Sequence, residues 1–145
     1  MKPEIFVDTS GFFSLLSPGD TAHKDAVEIL KKAQKTNQLF VTTDYVIDET
    51  ATLLKARGIG HLAEILFDTV NATRVCRMEW MDHERFAGTQ TYFEKHSDHG
   101  WSFTDCFSFL IMKEFKLRNA LTKDRHFKEA GFTPLLFNPA NPECR

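Results

Sequence analysis

The chain has 145 residues, of which 42% are hydrophobic, and its formal net charge is −2. This length and apolar content predict one domain with a single core, and the charge excludes a globally basic nucleic-acid binder while leaving room for a local basic strip. The three cysteines (Cys76, Cys106 and Cys144) lack CxxC spacing, and no apolar run reaches the roughly 18 residues of a spanning helix, so we expect a cytoplasmic protein without a zinc site or membrane segment.

Strand patterns alternate with helical patterns along the chain. Strands are predicted at residues 5–8, 39–43, 74–78, 119–122 and 134–137. Helices are predicted at residues 12–16, 20–36, 44–57, 60–71, 82–95 and 102–115, with a helical turn at 124–130. The inward residues of the 60–71 helix are predicted to be Leu62, Ile65, Leu66 and Val70. This alternation predicts an α/β fold, a three-layer sandwich with a mainly parallel central sheet. We expect one domain over residues 1–138 and a short tail over residues 139–145.

Four acidic residues lie at positions where a carboxylate is expensive to bury, namely Asp8, Glu49, Asp105 and Asp124. Asp8 ends the first predicted strand, Asp124 follows the fourth, and Asp105 is the only charged residue within 102–112. Glu49 borders the apolar face of its helix, whereas Asp48 points to solvent. Because the carboxyl ends of parallel strands meet at one edge of a sheet, we expect the four acids to converge there.

Each acid also has a purely structural explanation. Asp8 and Asp124 could be helix N-caps, Asp105 could form a capping box with Ser102, and Glu49 could be an ordinary boundary residue. If the acids do converge, carboxylates without Cys or His predict a site for Mg²⁺ or Mn²⁺, which activates water for phosphodiester cleavage. The hydroxyls that could orient this water or a phosphate oxygen belong to Thr9, Ser10, Thr104 and Thr122.

Basic residues in the last third of the chain are expected to gather near two of the acids, Asp105 and Asp124. Those expected to hold a negative polymer such as RNA are Lys116, Arg118, Lys123 and Arg125, with Lys113 and Lys128 nearby. For Lys113 and Lys116 the alternative is a solvated helix end.

Four segments together resemble the PIN domain, and in particular the toxin ribonucleases of the VapC type. They read FVDTS at 6–10, DYVIDE at 44–49, SFTDC at 102–106 and LTKDRHF at 121–127. The resemblance implies a metal-dependent endoribonuclease, usually a homodimer, whose toxin members are inhibited by an antitoxin peptide in an apolar groove. It assigns the metal and catalytic positions to Asp8, Glu49, Asp105 and Asp124, and a catalytic hydroxyl to Ser10.

Two other functions are compatible with the sequence. A phosphatase could use Asp8 as its nucleophile, but the haloacid-dehalogenase pattern has a second acid where this chain has Ser10. A non-catalytic RNA-binding or regulatory module could keep the same fold.

The remaining motifs give weaker signals. His96 and His99 lack an evident third ligand, Asp98 could join the rim of the site, and His126 has no companion at ligand spacing. The aromatic and aliphatic residues that follow Asp8 could be core or could line a dimer or inhibitor groove; they are Phe12, Phe13, Leu15 and Leu16.

Overall fold

The computed structural model describes residues 3–142, so Cys144 and the end of the predicted tail lie outside the described residues. The strands are β1 (Ile5–Val7), β2 (Phe40–Thr43), β3 (Cys76–Glu79), β4 (Asn119–Leu121) and β5 (Thr133–Pro134). The helices are α1 (Thr9–Leu16), α2 (His23–Lys35), α3 (Asp44–Ala56), α4 (Ala63–Asn71), α5 (His83–Lys95), α6 (Phe103–Glu114) and α7 (Arg125–Glu129), and a 3₁₀ turn at Gly60–Leu62 precedes α4.

The five strands form one sheet in the order β3-β2-β1-β4-β5, and every pairing is parallel. The predicted α/β class with a parallel central sheet is therefore confirmed. From β1 the chain proceeds outwards through β2 and β3, and then returns to place β4 on the other side of β1. Because such crossovers are right-handed, this reversal sends the helices of the two halves to opposite faces. It also creates a switch point between β1 and β4, where ligands bind in sheets of this kind.

Several predicted boundaries were wrong. The first helix begins at Thr9, directly after the strand, rather than at residue 12. Helix α2 begins at His23 rather than at residue 20, because the Asp20 carboxylate accepts the Ala22 amide in a turn before the helix. The last strand is Thr133–Pro134 rather than 134–137, because the Phe137 amide donates to the Pro134 carbonyl and turns the chain away.

The core covers both faces of the sheet. Phe6 and Val7 of β1, Val41 of β2 and Leu121 of β4 have no exposed surface, and Phe12 is also core. The alternative that Phe12 belongs to a groove is therefore wrong. Among the described residues, no helix is long and apolar enough to cross a membrane.

Helix α4 does not follow its predicted pattern. Ile65, which we expected to point inward, is 51% exposed, while Leu66 and Val70 are buried. Leu62 in the 3₁₀ turn also packs against the core, so the inward face is the narrow row of Leu62, Leu66 and Val70, and Ile65 lies beside it.

One close contact fixes helix α1 on the sheet. A Cβ atom at Gly11 would lie 2.0 Å from the backbone oxygen of Leu121, a distance that no real contact allows. The same Leu121 oxygen accepts the Asp8 amide over 3.2 Å. The absence of a side chain at Gly11 therefore lets α1 lie directly against β4, and this contact fixes where the residues between β1 and α1 stand.

Candidate active site

The site lies at the switch point of the sheet. Val7 pairs with Leu121 in the register of β1 and β4, so the next residues along, Asp8 and Thr122, leave the sheet side by side. The Thr122 hydroxyl contacts Oδ2 of Asp8 at 3.0 Å. Sequence positions more than a hundred residues apart thus meet at one edge, because two parallel neighbours end there.

Asp8 is buried, with 5% of its surface exposed. It occupies the N-cap position of α1, but its side chain makes no capping hydrogen bond, so capping does not explain this acid. Burial, and then the nearby charges of Asp105 and Asp124, raise the pKa of Asp8 to about 8. A carboxyl group with so high a pKa needs either a proton or a nearby cation to be stable.

Asp105 and Asp124 each have a local structural role as well. Asp105 completes the predicted capping box with Ser102, and Asp124 caps α7 by accepting the His126 amide over 2.9 Å. Burial, and then the charge of Asp124, raise the pKa of Asp105, although its bonds to Ser102 oppose the shift. Capping and clustering are therefore compatible here, because each helix begins at the carboxyl edge of the sheet.

His126 is a member of the cluster that sequence reasoning missed. Its Nδ1 atom lies 3.2 Å from Oδ1 of Asp124 and 3.5 Å from Oδ2 of Asp105. This nitrogen is buried and has no hydrogen-bond partner among the described residues. The prediction that His126 has no companion at ligand spacing was wrong, because Asp105 is distant in sequence. The available signal was the position of His126 in the first turn after Asp124.

The donor atoms of this cluster fit a divalent cation. Ligand atoms of Asp105, Asp124 and His126 lie within 4.8 Å of one another. Carboxylate oxygens suit Mg²⁺ and Mn²⁺, and an imidazole nitrogen is compatible with Mn²⁺. The raised pKa values of Asp8 and Asp105 indicate an excess of negative charge that such an ion would offset.

Glu49 approaches the site from helix α3. It is exposed, as is Asp48, and its Oε1 atom accepts the Thr9 hydroxyl over 2.8 Å. Glu49 lines the same cavity as Asp8 and Asp124. The structure thus brings all four acids to one edge, where Asp8, Glu49 and Asp124 line the cavity and Asp105 lies next to Asp124.

The hydroxyl groups of Ser10 and Thr122 form a hydrogen-bonded chain that ends at Asp8. The Ser10 hydroxyl accepts the Lys123 amide at 2.9 Å, and the Thr122 hydroxyl accepts the Asp124 amide at 3.0 Å. The two hydroxyls are 3.0 Å apart. When Asp8 is ionised, Thr122 must donate its single proton to Asp8, so Ser10 must donate to Thr122. The Ser10 proton is then committed inside the protein and is not available to a substrate.

The structure separates the predicted basic residues into two groups, of which Lys123 and Arg125 lie near the acids. Lys123 is buried, and its ammonium group pairs with Asp20 at 2.7 Å. Although burial opposes it, the bonds from Lys123 and Ser14 hold the pKa of Asp20 below its ordinary value. Arg125 is exposed beside Asp124 and lies 3.6 Å from Glu129.

Lys116 and Arg118 are exposed but stand away from the acids. Helix α6 has 12 residues between the acidic edge and Lys116, which corresponds to about 18 Å. Lys116 lines a cavity with Pro3 and Leu39, which precede β1 and β2 at the amino edge of the sheet. The expectation that Lys116 and Arg118 adjoin the acids was therefore wrong, because α6 carries them to the opposite edge.

The cavity over the site has a volume of about 440 Å³. Besides Asp8, Glu49 and Asp124, it is lined by Phe13, one of the residues that could have lined a groove, and by three residues that sequence reasoning did not select, namely Asp20, Leu53 and Arg57. The side chain of Asp98 is 81% exposed and lies 3.9 Å from His99, and His99 stacks on Trp101.

A family model described as the PIN domain matches residues 5–133. The chain belongs to the PIN domain family, and the resemblance recognised in its four motifs is confirmed.

Two relatives show which branch of the family is similar. The 23S rRNA-specific endonuclease VapC20 of Mycobacterium tuberculosis is 30% identical over 128 residues, which cover 88% of this chain and 95% of the relative. The VapC ribonuclease of Archaeoglobus fulgidus is 30% identical over 115 residues, covering 77% of this chain and 72% of that protein.

Two solved structures have a fold similar to that of this chain. The crystal structure of Mycobacterium tuberculosis VapC20, described as a Sarcin-Ricin loop cleaving toxin, matches with a TM-score of 0.76 and 28% identity, covering 90% of this chain and 97% of that one. FitAcB from Neisseria gonorrhoeae matches with a TM-score of 0.59 and 18% identity, covering 93% of this chain and 97% of that one, and supports the fold alone.

Proposed function

We propose that this chain is a metal-dependent endoribonuclease that hydrolyses RNA phosphodiester bonds and acts as the toxin of a toxin–antitoxin pair. The observation that carries the proposal is the buried carboxyl group of Asp8 beside the cluster of Asp105, Asp124 and His126, because ionised Asp8 needs a cation to offset its charge there. Nuclease activity is also the property named for both relatives. A non-catalytic module would have no use for so costly a cluster.

In this proposal the acids have distinct tasks. Asp8, Asp105 and Asp124 would hold the cation, Glu49 would ligate it directly or through water, and His126 adds a nitrogen donor beside them. When bound, Mg²⁺ or Mn²⁺ supplies a Lewis acid that lowers the pKa of a water molecule and offsets charge on the leaving oxygen. Ser10, which we expected to be catalytic, serves to position Asp8 through the Thr122 hydroxyl.

The positive groups around the cavity would hold the RNA. Arg125 is exposed at the rim and suits a phosphate contact, whereas Lys123 would act mainly through its ion pair with Asp20. By analogy with VapC20, we propose a structured loop of ribosomal RNA as the substrate. We further propose a homodimer that is inhibited by an antitoxin protein, and a cytoplasmic location, because the substrate is found there.

The direct test is metal-dependent cleavage. The purified chain is incubated with ribosomal, transfer and unstructured RNA in Mg²⁺, in Mn²⁺ and in EDTA, beside D8N and D105N. We expect the wild type to make discrete metal-dependent cuts. Because each substitution removes a charge from the cation site, the cleavage rate should fall at least about a hundredfold in both variants. D48N, which alters an exposed acid on the same helix as Glu49, should cut like the wild type. Equal cutting by the wild type, D8N and D105N would show that the site is elsewhere.

A further inference from the structure

Two helices form one wall of the cavity, and their side chains pair in a regular way. Thr9 and Phe13 stand one turn apart on α1, while Glu49, Leu53 and Arg57 follow one another at four-residue steps along α3 and its C-cap. Thr9 donates to Glu49 at the acidic end. Farther along, the guanidinium carbon of Arg57 lies 5.5 Å from the centre of the Phe13 ring. The wall therefore changes from a polar pair beside the acids to an aromatic and cationic pair.

Arg77 also lies over a phenylalanine ring, but its charged neighbours differ from those of Arg57. Arg77 lies 4.5 Å from the ring centre of Phe115, and its guanidinium group also pairs with Glu4 and Glu79. Within residues 3–142, no carboxylate lies at salt-bridge distance from Arg57. Arg57 therefore has no direct ion-pair partner among these residues, and it lines a cavity that we expect to receive a polyanion.

Resting on the proposed function, we propose that Phe13, Leu53 and Arg57 form a subsite for one unstacked nucleobase beside the phosphate that is cut. Unstacked bases bind to proteins by stacking on aromatic rings and guanidinium planes, and this wall offers both. The occupant is RNA rather than a peptide because the subsite is continuous with the acids that act on the phosphate. The cavity of about 440 Å³ also has the size of a small-ligand site.

The opposing explanation is that Phe13 only packs the core. Phe13 is half-buried and contacts the main hydrophobic cluster, as Phe115 does at the other edge of the sheet. Packing alone predicts that F13L and F115L have equivalent effects, confined to stability. The subsite predicts that F13L alone weakens nucleotide binding.

The first measurement uses 2-aminopurine riboside 5′-monophosphate, whose fluorescence is quenched by stacking, with wild-type protein and Mg²⁺. We expect saturable quenching that is weakened about tenfold by F13L and by R57M, because each removes one stacking surface. F13Y should retain binding, and the matched control F115L should bind like the wild type. Quenching that is equal in F13L and wild type, or absent from the wild type, would overturn the subsite.

The second measurement separates this inference from the proposed function. With RNA that the wild type cuts, F13L should raise KM about tenfold, or move the cut site, while F115L does neither. Unchanged KM and cut site in F13L would overturn the subsite and assign the wall to packing or to a protein partner. If the wild type cuts no RNA while nucleotide binding depends on Phe13, the nuclease proposal fails and the base subsite stands.

Discussion

The Thr122 hydroxyl has one proton and two lone pairs, and the structure uses all three. It accepts the Asp124 amide, contacts the Ser10 hydroxyl and donates to ionised Asp8, each over 3.0 Å. Because the proton is directed at Oδ2 of Asp8, this bond orients the carboxylate. Groups that orient metal ligands in this way commonly set the metal affinity.

We therefore expect T122V to weaken Mn²⁺ binding about 10- to 100-fold, measured by calorimetry, because it removes the bond that orients Asp8. T122S, which keeps the hydroxyl, should bind Mn²⁺ like the wild type. The matched control is T42V, since the Thr42 hydroxyl is also buried but donates to the Val7 carbonyl. If T122V and T42V bind Mn²⁺ equally well, the hydroxyl chain does not position Asp8.

The sequence allowed the acidic residues of the site to be selected, but not the residues that surround them. Asp8, Asp105 and Asp124 could be selected because a charge that interrupts an apolar stretch is visible in the sequence. His126 and Arg57 could not be selected, because their roles depend on contacts with residues that are distant in sequence. The ion pair of Lys123 could not be predicted for the same reason, since its partner Asp20 lies in a loop after α1.

At the scale of elements, helix α1 and strand β4 meet without a side chain between them at Gly11. We expect G11A to lower the free energy of unfolding by at least about 2 kcal/mol, because the new Cβ must push α1 away from the Leu121 carbonyl. Chemical denaturation measures this change, and Mn²⁺ affinity should fall with it.

The control for this prediction is G19A, since a Cβ at Gly19 meets no atom within 4 Å. Its stability should stay within about 0.5 kcal/mol of the wild type. Equal stability of G11A and G19A would mean that α1 can shift at no cost.

Most elements could be predicted because alternating strands and amphipathic helices leave strong periodic patterns. The failures have local physical causes. The Phe137 amide donates to the Pro134 carbonyl and turns the chain away, so the last strand is short, and the inward row of α4 is narrow, so Ile65 is exposed beside the buried Leu66. The order of the strands cannot be derived from periodicity at all, because it depends on which edge of β1 the returning chain occupies.

For the whole molecule, the raised pKa of Asp8 makes stability depend on pH. The value is 3.8 in an ordinary aspartate and about 8 here. Because the folded protein binds this proton more tightly than the unfolded chain, the stabilisation is complete below pH 3.8 and is lost as the pH rises through about 8. In metal-free protein, the Tm should therefore fall between about pH 5 and about pH 9.

D8N isolates this effect, because it removes the titrating group and keeps an acceptor for Thr122. We expect the Tm of metal-free wild type to fall at least about 4 °C further than that of D8N over this pH range. Mg²⁺ should restore the wild type and have less effect on D8N. Parallel Tm curves for the two metal-free proteins would show that Asp8 titrates normally.

Strands β1 and β4 are neighbours in the sheet, but the chain makes them at very different times. A ribosome has already synthesised Asp8 long before it adds Thr122 and Asp124. Until then, β1 lacks its neighbour β4, and the carboxylates that are synthesised first (Asp8, Glu49 and Asp105) cannot meet Asp124. A cleavage activity that depends on this junction can arise only after synthesis has passed Asp124, so we expect chains that end before that residue to lack it.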